Sequence, residues 1–212
     1  MIIAFSGTDY SGKSTQIKFL KLHQRKVIVW SRFGYTPLII KIKKMRRGLV
    51  ADVKREKLFT KTSEKRKNVK IVDMWFWSGF VDYVIFGLYL HYLRLIKQDI
   101  VCDRYILDVL VDLSMRYHLG SWHSKAVLFI YKLFFPKPDT YLYLDIDLHC
   151  ARLRREKKID PYPISDSDFI KLQSLYRYFL EKLRIEDIVI IDASCDPGAV
   201  ANKIATEVAS ET

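Results

Sequence analysis

Five short runs of the chain are apolar without alternation: Ile2 to Phe5, Lys26 to Trp30, Ile100 to Cys102, Thr140 to Leu144 and Ile188 to Ile191. A strand with one solvated face alternates apolar and polar residues, whereas one covered on both faces does not, so these runs predict buried parallel strands. Between them, apolar residues recur at helical spacing over Ser14 to His23, Val81 to Lys97, Leu107 to Tyr117 and Ile170 to Leu183. Strand followed by helix, repeated, predicts an α/β fold with a central parallel sheet. Turn-forming residues mark Pro136 to Asp139 and Ile159 to Ser167 as irregular. There is no internal repeat, low-complexity tract or Gly/Ser linker, and a length of 212 residues suits a single domain spanning 1–212.

One apolar stretch, Met74 to Ile96, is long enough to span a bilayer, but it carries Asp82, His91 and Arg94 along its length. An aromatic-rich core helix explains it better. The opening run Ile2–Phe5 lacks a basic segment before it and is too short for a signal-peptide core, so it reads as a strand. Cys102, Cys150 and Cys195 are too few and too far apart for a disulfide framework and have no zinc spacing. A reducing compartment, the cytoplasm, is expected.

The net charge of +12 is concentrated: residues 41 to 70 hold thirteen Lys/Arg against Asp52, Glu56 and Glu64. Such a segment (41–72) suits nucleic acid, an anionic membrane face or a polyphosphate, and equally suits a solvated loop or helix face. It lacks the interleaved aromatics of a single-strand-binding surface, so a nucleic-acid or membrane contact is not the favoured reading.

The most specific signal follows the first strand directly. Gly7-Thr8-Asp9-Tyr10-Ser11-Gly12-Lys13-Ser14-Thr15 satisfies G-x-x-x-x-G-K-[ST] and opens into a helical pattern. The glycines let the backbone curl so that successive amides, those of Tyr10, Ser11, Gly12 and Thr15 included, point at phosphate oxygens at the positive end of a helix. In that chemistry Lys13 reaches the β- and γ-phosphates and Ser14 places its hydroxyl on Mg²⁺. A solvated lysine and a capping serine account for each residue singly but not for the loop as a whole.

The third predicted strand ends in Cys102-Asp103-Arg104-Tyr105, and the second ends in Ser31-Arg32-Phe33-Gly34. Charged side chains at the carboxyl edge of a parallel sheet lie where ligands of open α/β sheets bind. Asp103 suits a water-mediated contact to Mg²⁺ and a part in catalysis, and Arg104 a bidentate grip on phosphate; a buried structural ion pair is the alternative. Beyond the fourth strand, Asp145-Ile146-Asp147 leads into a basic helix start containing Arg152, Arg154 and Arg155, with Pro161 and Pro163 following. A mobile lid at about 150–166 carrying arginines that stabilise transition-state charge has this form, as does an ordinary solvated helix.

Taken in order, Phe5–Asp9, Lys13–Gln16, Arg32, Asp103-Arg104-Tyr105, Pro138-Asp139 and Tyr141–Asp145 resemble the thymidylate kinase family over nearly the whole chain. The resemblance implies a three-layer P-loop kinase fold with a five-stranded parallel sheet flanked by helices, ATP and Mg²⁺ as cofactors, and a small-molecule phosphoryl acceptor of nucleotide type. It implies further that Asp9 faces the acceptor sugar, that Arg32 and Arg104 hold the acceptor phosphate, and that Ser194 and Cys195 border the adenine. A homodimer is left open. Two positions depart from the family pattern. Tyr10 stands where one branch carries a catalytic arginine, which puts that role on the lid. The family's aromatic and arginine pair that reads thymine has no clear counterpart in Trp75–Tyr83, where Phe76 and Phe80 are either a base platform or core. Other acceptors, a deoxynucleoside or a non-nucleotide metabolite, therefore stay open, as does a regulatory nucleotide-binding protein. A guanine-specific N-K-x-D signature is missing, the nearest match, Asn202-Lys203-Ile204-Ala205, failing at its last position.

Overall fold

A computed structural model describes residues 1–23, 26–30, 33, 69–117, 120–157, 164–183, 188–194 and 196–210. Five strands, β1 (Ile2–Gly7), β2 (Val27–Trp30), β3 (Ile100–Asp103), β4 (Thr140–Asp145) and β5 (Ile188–Asp192), form one sheet in the order β2-β3-β1-β4-β5. Every pairing is parallel. Seven helices are described: α1 (Lys13–His23), α2 (Val69–Leu95), α3 (Ile106–Tyr117), α4 (Trp122–Phe134), α5 (Leu148–Glu156), α6 (Asp166–Leu183) and α7 (Pro197–Ser210).

The unbroken apolar runs are explained by what covers the sheet. Successive strand residues point to opposite faces, and each face has its own core. Ile2, Ala4, Tyr141 and Tyr143 pack with α2, α3, α4 and α6 on one side, whereas Ile3, Phe5, Leu142 and Leu144 pack with α1 and α7 on the other. Three layers with helices on both faces result, as the sequence predicts.

Several boundaries differ from expectation. Helix α2 begins at Val69 rather than Val81. It lies against α4 over much of its length: the rings of Trp77 and Trp122 meet at 6.0 Å, and ten residues on, a side chain at Gly87 would collide with the Phe134 carbonyl. That close approach requires glycine at position 87. Helices α4 and α7 were not singled out by the spacing. Helix α6 starts at Asp166, inside the stretch predicted to be irregular, because the Ser165 hydroxyl accepts the Asp168 amide at 3.1 Å and caps the first turn. No described helix is long and apolar enough to cross a membrane.

Candidate active site

The carboxyl ends of β1, β3 and β4 meet around the loop Gly7–Gly12. Gly7 has φ +147°, and a Cβ there would stand 2.6 Å from the Leu144 carbonyl oxygen, so glycine alone lets β1 turn this close to β4. Tyr10 and Gly12 also take positive φ, 68° and 90°. The loop then feeds into α1, whose first-turn residues Ser14 and Thr15 are exposed.

The curled loop folds around Lys13, which is buried; its ammonium donates to the carbonyls of Gly7 at 2.6 Å and Thr8 at 2.7 Å, and to Ser11 Oγ at 3.3 Å. Burial, and after it the nearby Arg104 guanidinium, lower its pKa to about 8, against the pull of Asp108, Asp9 and Asp103. An ammonium in this state gains from any anion brought to the loop. The donor set therefore fits a polyphosphate: a desolvated cation and a helix N-terminus converge on one cradle. Ser14, with a hydroxyl on the exposed first turn, and Asp103, with a half-buried carboxylate at the end of β3, are hard oxygen donors of the kind Mg²⁺ takes. Burial raises the Asp103 pKa, and Lys13 and Arg104 partly offset the rise.

Arg104 follows Asp103 with φ +77°, an uncommon conformation for an arginine. Its amide donates to the Phe5 carbonyl at 3.0 Å, and its guanidinium reaches Asp9 at 2.7 Å and Asp108 at 3.3 Å. Burial opposes the charge, but Asp108, Tyr176 and Asp9 outweigh it and hold the group firmly cationic. Asp9 is the exposed end of this chain of charges and Asp108 the buried one, with side-chain exposures of 58% and 2%.

Asp108 was not anticipated from the sequence. Its carboxylate accepts from Ser6 Oγ at 2.5 Å, the Tyr176 hydroxyl at 2.8 Å and the Tyr105 amide at 3.2 Å. Tyr176 also lies 3.0 Å from the Gly7 carbonyl, and Ser6 Oγ 3.0 Å from the Tyr141 hydroxyl. One buried carboxylate thus ties β1, β4, α3 and α6 to the Gly7–Gly12 loop and to Arg104. The available sequence signal was an aspartate four residues after Arg104 inside the otherwise apolar run Ile106–Val111.

Of the three arginines of α5, Arg154 is the one placed over the loop. It donates to the Tyr10 carbonyl at 3.1 Å and the Ala193 carbonyl at 2.6 Å, and its Nη1 lies 3.5 Å from where a Cβ on Gly12 would be. Arg152 and Arg155 turn to Asp166, Arg152 through Nε at 2.9 Å and Arg155 at 3.1 Å, with Arg155 also donating to the Ile164 carbonyl. They brace α5 against the start of α6. Asp147 caps α5 by accepting the Cys150 amide, which holds its carboxyl well below the usual range. The Asp147 amide donates in turn to Ser194 Oγ at 3.2 Å, so the β5–α7 loop is anchored beside the start of α5.

Phe76 does not form a base platform. It is wholly buried, with Phe33, Trp122 and His123 centred 5.6, 5.1 and 4.6 Å away, and it belongs to the core. Phe80, half-buried, packs edge-on to Trp77 at 5.3 Å in the same cluster. The second strand-end arginine, Arg32, together with Cys195 and nearly all of the basic segment, lies outside the described residues.

No protein-family model matches the chain. Among solved structures, it is similar to a deoxyadenosine kinase from M. mycoides with dCMP and a flexible dCDP bound, at 16% identity and a TM-score of 0.64, covering 99% of this chain and 100% of that one. It is similar also to thymidylate kinase from Candida albicans, at 16% identity and a TM-score of 0.63, covering 99% and 91% respectively. These likenesses show the fold: a five-stranded parallel sheet flanked by helices, of the P-loop kinase kind.

Proposed function

We propose that this protein is a P-loop kinase transferring the γ-phosphoryl group of ATP to a nucleoside monophosphate, in the manner of thymidylate kinase. The observation that carries the reading is the meeting of Lys13, Asp103, Arg104 and Asp9 at one end of the sheet, with Arg154 arching over the same loop. ATP would supply the transferable group, and Mg²⁺, when bound, would supply positive charge that offsets the charge of the transferring phosphoryl group.

The residues divide the work. The loop amides and Lys13 hold the β- and γ-phosphates in line. Ser14 and Asp103 would hold the metal through their oxygens. Arg104, fixed from below by Asp108, grips the acceptor phosphate, joined by Arg32, while Asp9 meets the acceptor sugar. Arg154 exchanges its carbonyl partners for the oxygens on which charge develops, the largest kind of contribution available to a reaction with little covalent chemistry for the protein to perform. Ser194 and Cys195 border the adenine.

A second reading is favoured by the state of Arg104. Its guanidinium has carboxylates on two sides, Asp9 and Asp108, and is charge-balanced without any phosphate. An acceptor that is a deoxynucleoside suits such an arginine, and a deoxyadenosine kinase is among the structures of this fold. Arg104→Met separates the two readings: loss of turnover with thymidine monophosphate, through a raised KM, supports the monophosphate acceptor. Turnover of deoxynucleosides and not of monophosphates by the unaltered protein supports the other.

A further inference from the structure

Tyr176 of α6 lies 169 residues from Gly7 in sequence and touches its carbonyl. The side chain is buried, its ring centred 5.4 Å from that of Tyr143, and its hydroxyl stands between two acceptors: the Gly7 carbonyl at 3.0 Å and Asp108 Oδ1 at 2.8 Å. A phenol carries one O–H, so it serves one of the two at a time. Burial, and after it the neighbouring Asp108, raise the Tyr176 pKa well above the ordinary value, so the proton stays on the tyrosine.

Which acceptor takes that proton depends on Lys13. Its ammonium donates to the Gly7 carbonyl at 2.6 Å, so the carbonyl is satisfied and the tyrosine proton is left for the carboxylate, the stronger acceptor. A polyphosphate in the cradle would draw the ammonium off the carbonyl. The Gly7 carbonyl is buried, and a buried acceptor that loses its donor bears the full cost of its desolvation. The Tyr176 hydroxyl is already within hydrogen-bond distance and has only to turn its O–H. Asp108 can release it: Ser6 Oγ and the Tyr105 amide remain on Oδ2, and Arg104 Nη1 stands 3.3 Å from Oδ1, the oxygen that the tyrosine leaves.

We infer that Tyr176 replaces Lys13 on the Gly7 carbonyl when Lys13 turns to phosphate, so that filling the loop hands Asp108 Oδ1 to Arg104. Tyr176 is then a positioning residue, acting through the loop and through Asp108. The inference rests on the reading of Gly7–Gly12 as a triphosphate site. Its test is a two-residue cycle read by calorimetric binding of a non-hydrolysable ATP analogue with Mg²⁺ to the wild type, Tyr176→Phe, Lys13→Ala and the double variant. Tyr176→Phe keeps the ring in the core and should weaken binding by about five- to tenfold, the worth of one net hydrogen bond. In the Lys13→Ala background, where no ammonium leaves the carbonyl, the same substitution should change affinity by less than about twofold. A tyrosine that serves the fold alone would weaken binding equally in both backgrounds; that equality, or an unchanged affinity in Tyr176→Phe, would overturn the inference. A second measurement keeps the hydroxyl and decides the matter if Tyr176→Phe misfolds. Fluorotyrosine incorporated at position 176 should give a fluorine resonance that moves when the analogue is added, and that stays in place in the Lys13→Ala background. A resonance that stays in place in both overturns the inference. Failure of the triphosphate reading looks different: the wild type binds no analogue, or Lys13→Ala binds it as tightly, and the inference falls with that reading.

Discussion

At the scale of single residues, two buried charges, Lys13 and Asp108, organise the crevice. Lys13 is held near a pKa of 8, chiefly by burial, with Arg104 lowering it further and Asp108, Asp9 and Asp103 opposing. Because its folded value lies below the unfolded one, Lys13 favours folding at high pH, and that contribution is lost as pH falls through about 8. Ligand binding runs the other way, since phosphate wants the ammonium. ATP affinity measured by calorimetry should therefore weaken between pH 7 and pH 9, while Lys13→Arg, whose guanidinium stays charged, should show a flat profile. A flat profile in the wild type would count against Lys13 as the phosphate's partner. Lys13→Ala should lower turnover by about 10²–10³-fold, the range for loss of one preorganised charge-stabilising donor, with little change in thermal stability. Asp108 is the second buried charge. Asp108→Ala leaves Arg104 without its buried partner and takes an acceptor from Ser6, Tyr176 and the Tyr105 amide, and chemical denaturation should show a loss of about 3–5 kcal/mol. Asp108→Asn, which keeps the shape, should fold well and raise KM for the acceptor more than it lowers kcat, because it frees Arg104 to wander.

At the scale of elements, α5 and α2 make opposite claims. Helix α5 places Arg154 on the Tyr10 and Ala193 carbonyls while Arg152 and Arg155 fasten its last turns to Asp166. Arg154→Ala should cut kcat by about 10²-fold with ATP affinity nearly kept, whereas Arg152→Ala should leave kcat and thermal stability nearly unchanged, since an exposed pair contributes little. Comparable kcat losses in both variants would contradict this division. In α2 the critical position is Gly87, where the helix meets Phe134; Gly87→Leu should destabilise by at least about 1–3 kcal/mol in thermal unfolding, as overpacking does. The curled Gly7–Gly12 loop was legible in the sequence because its parts are consecutive, and the strands because double burial removes their alternation. Asp108 was not, since Ser6, Tyr141 and Tyr176 come to it from 102, 33 and 68 residues away. Helix α4 was missed although His123, Val127 and Ile130 of its buried face recur at helical spacing, because exposed Trp122, Phe129 and Leu133 leave little polar sequence on the other face to mark it.

At the scale of the whole molecule, the parallel α/β plan was readable but the strand order β2-β3-β1-β4-β5 was not, because crossovers between apolar strands carry no local mark of which neighbour they seek. That order sets β1 between β3 and β4, and so brings Lys13, Asp103 and Arg104 to one crevice from positions ninety residues apart. The fold is shared by kinases of nucleosides and of nucleotides, and therefore leaves the acceptor to chemistry. The direct measurement is ADP released by the purified protein with ATP and Mg²⁺, alone and against a panel of nucleoside monophosphates, deoxynucleosides and small hydroxylated metabolites, with Lys13→Ala in parallel. Stimulation by a nucleoside monophosphate, thymidine monophosphate first among them, that Lys13→Ala lowers by about 10²–10³-fold is the expected result. ATP bound with no acceptor raising ADP above background, or turnover unchanged in Lys13→Ala, would contradict it.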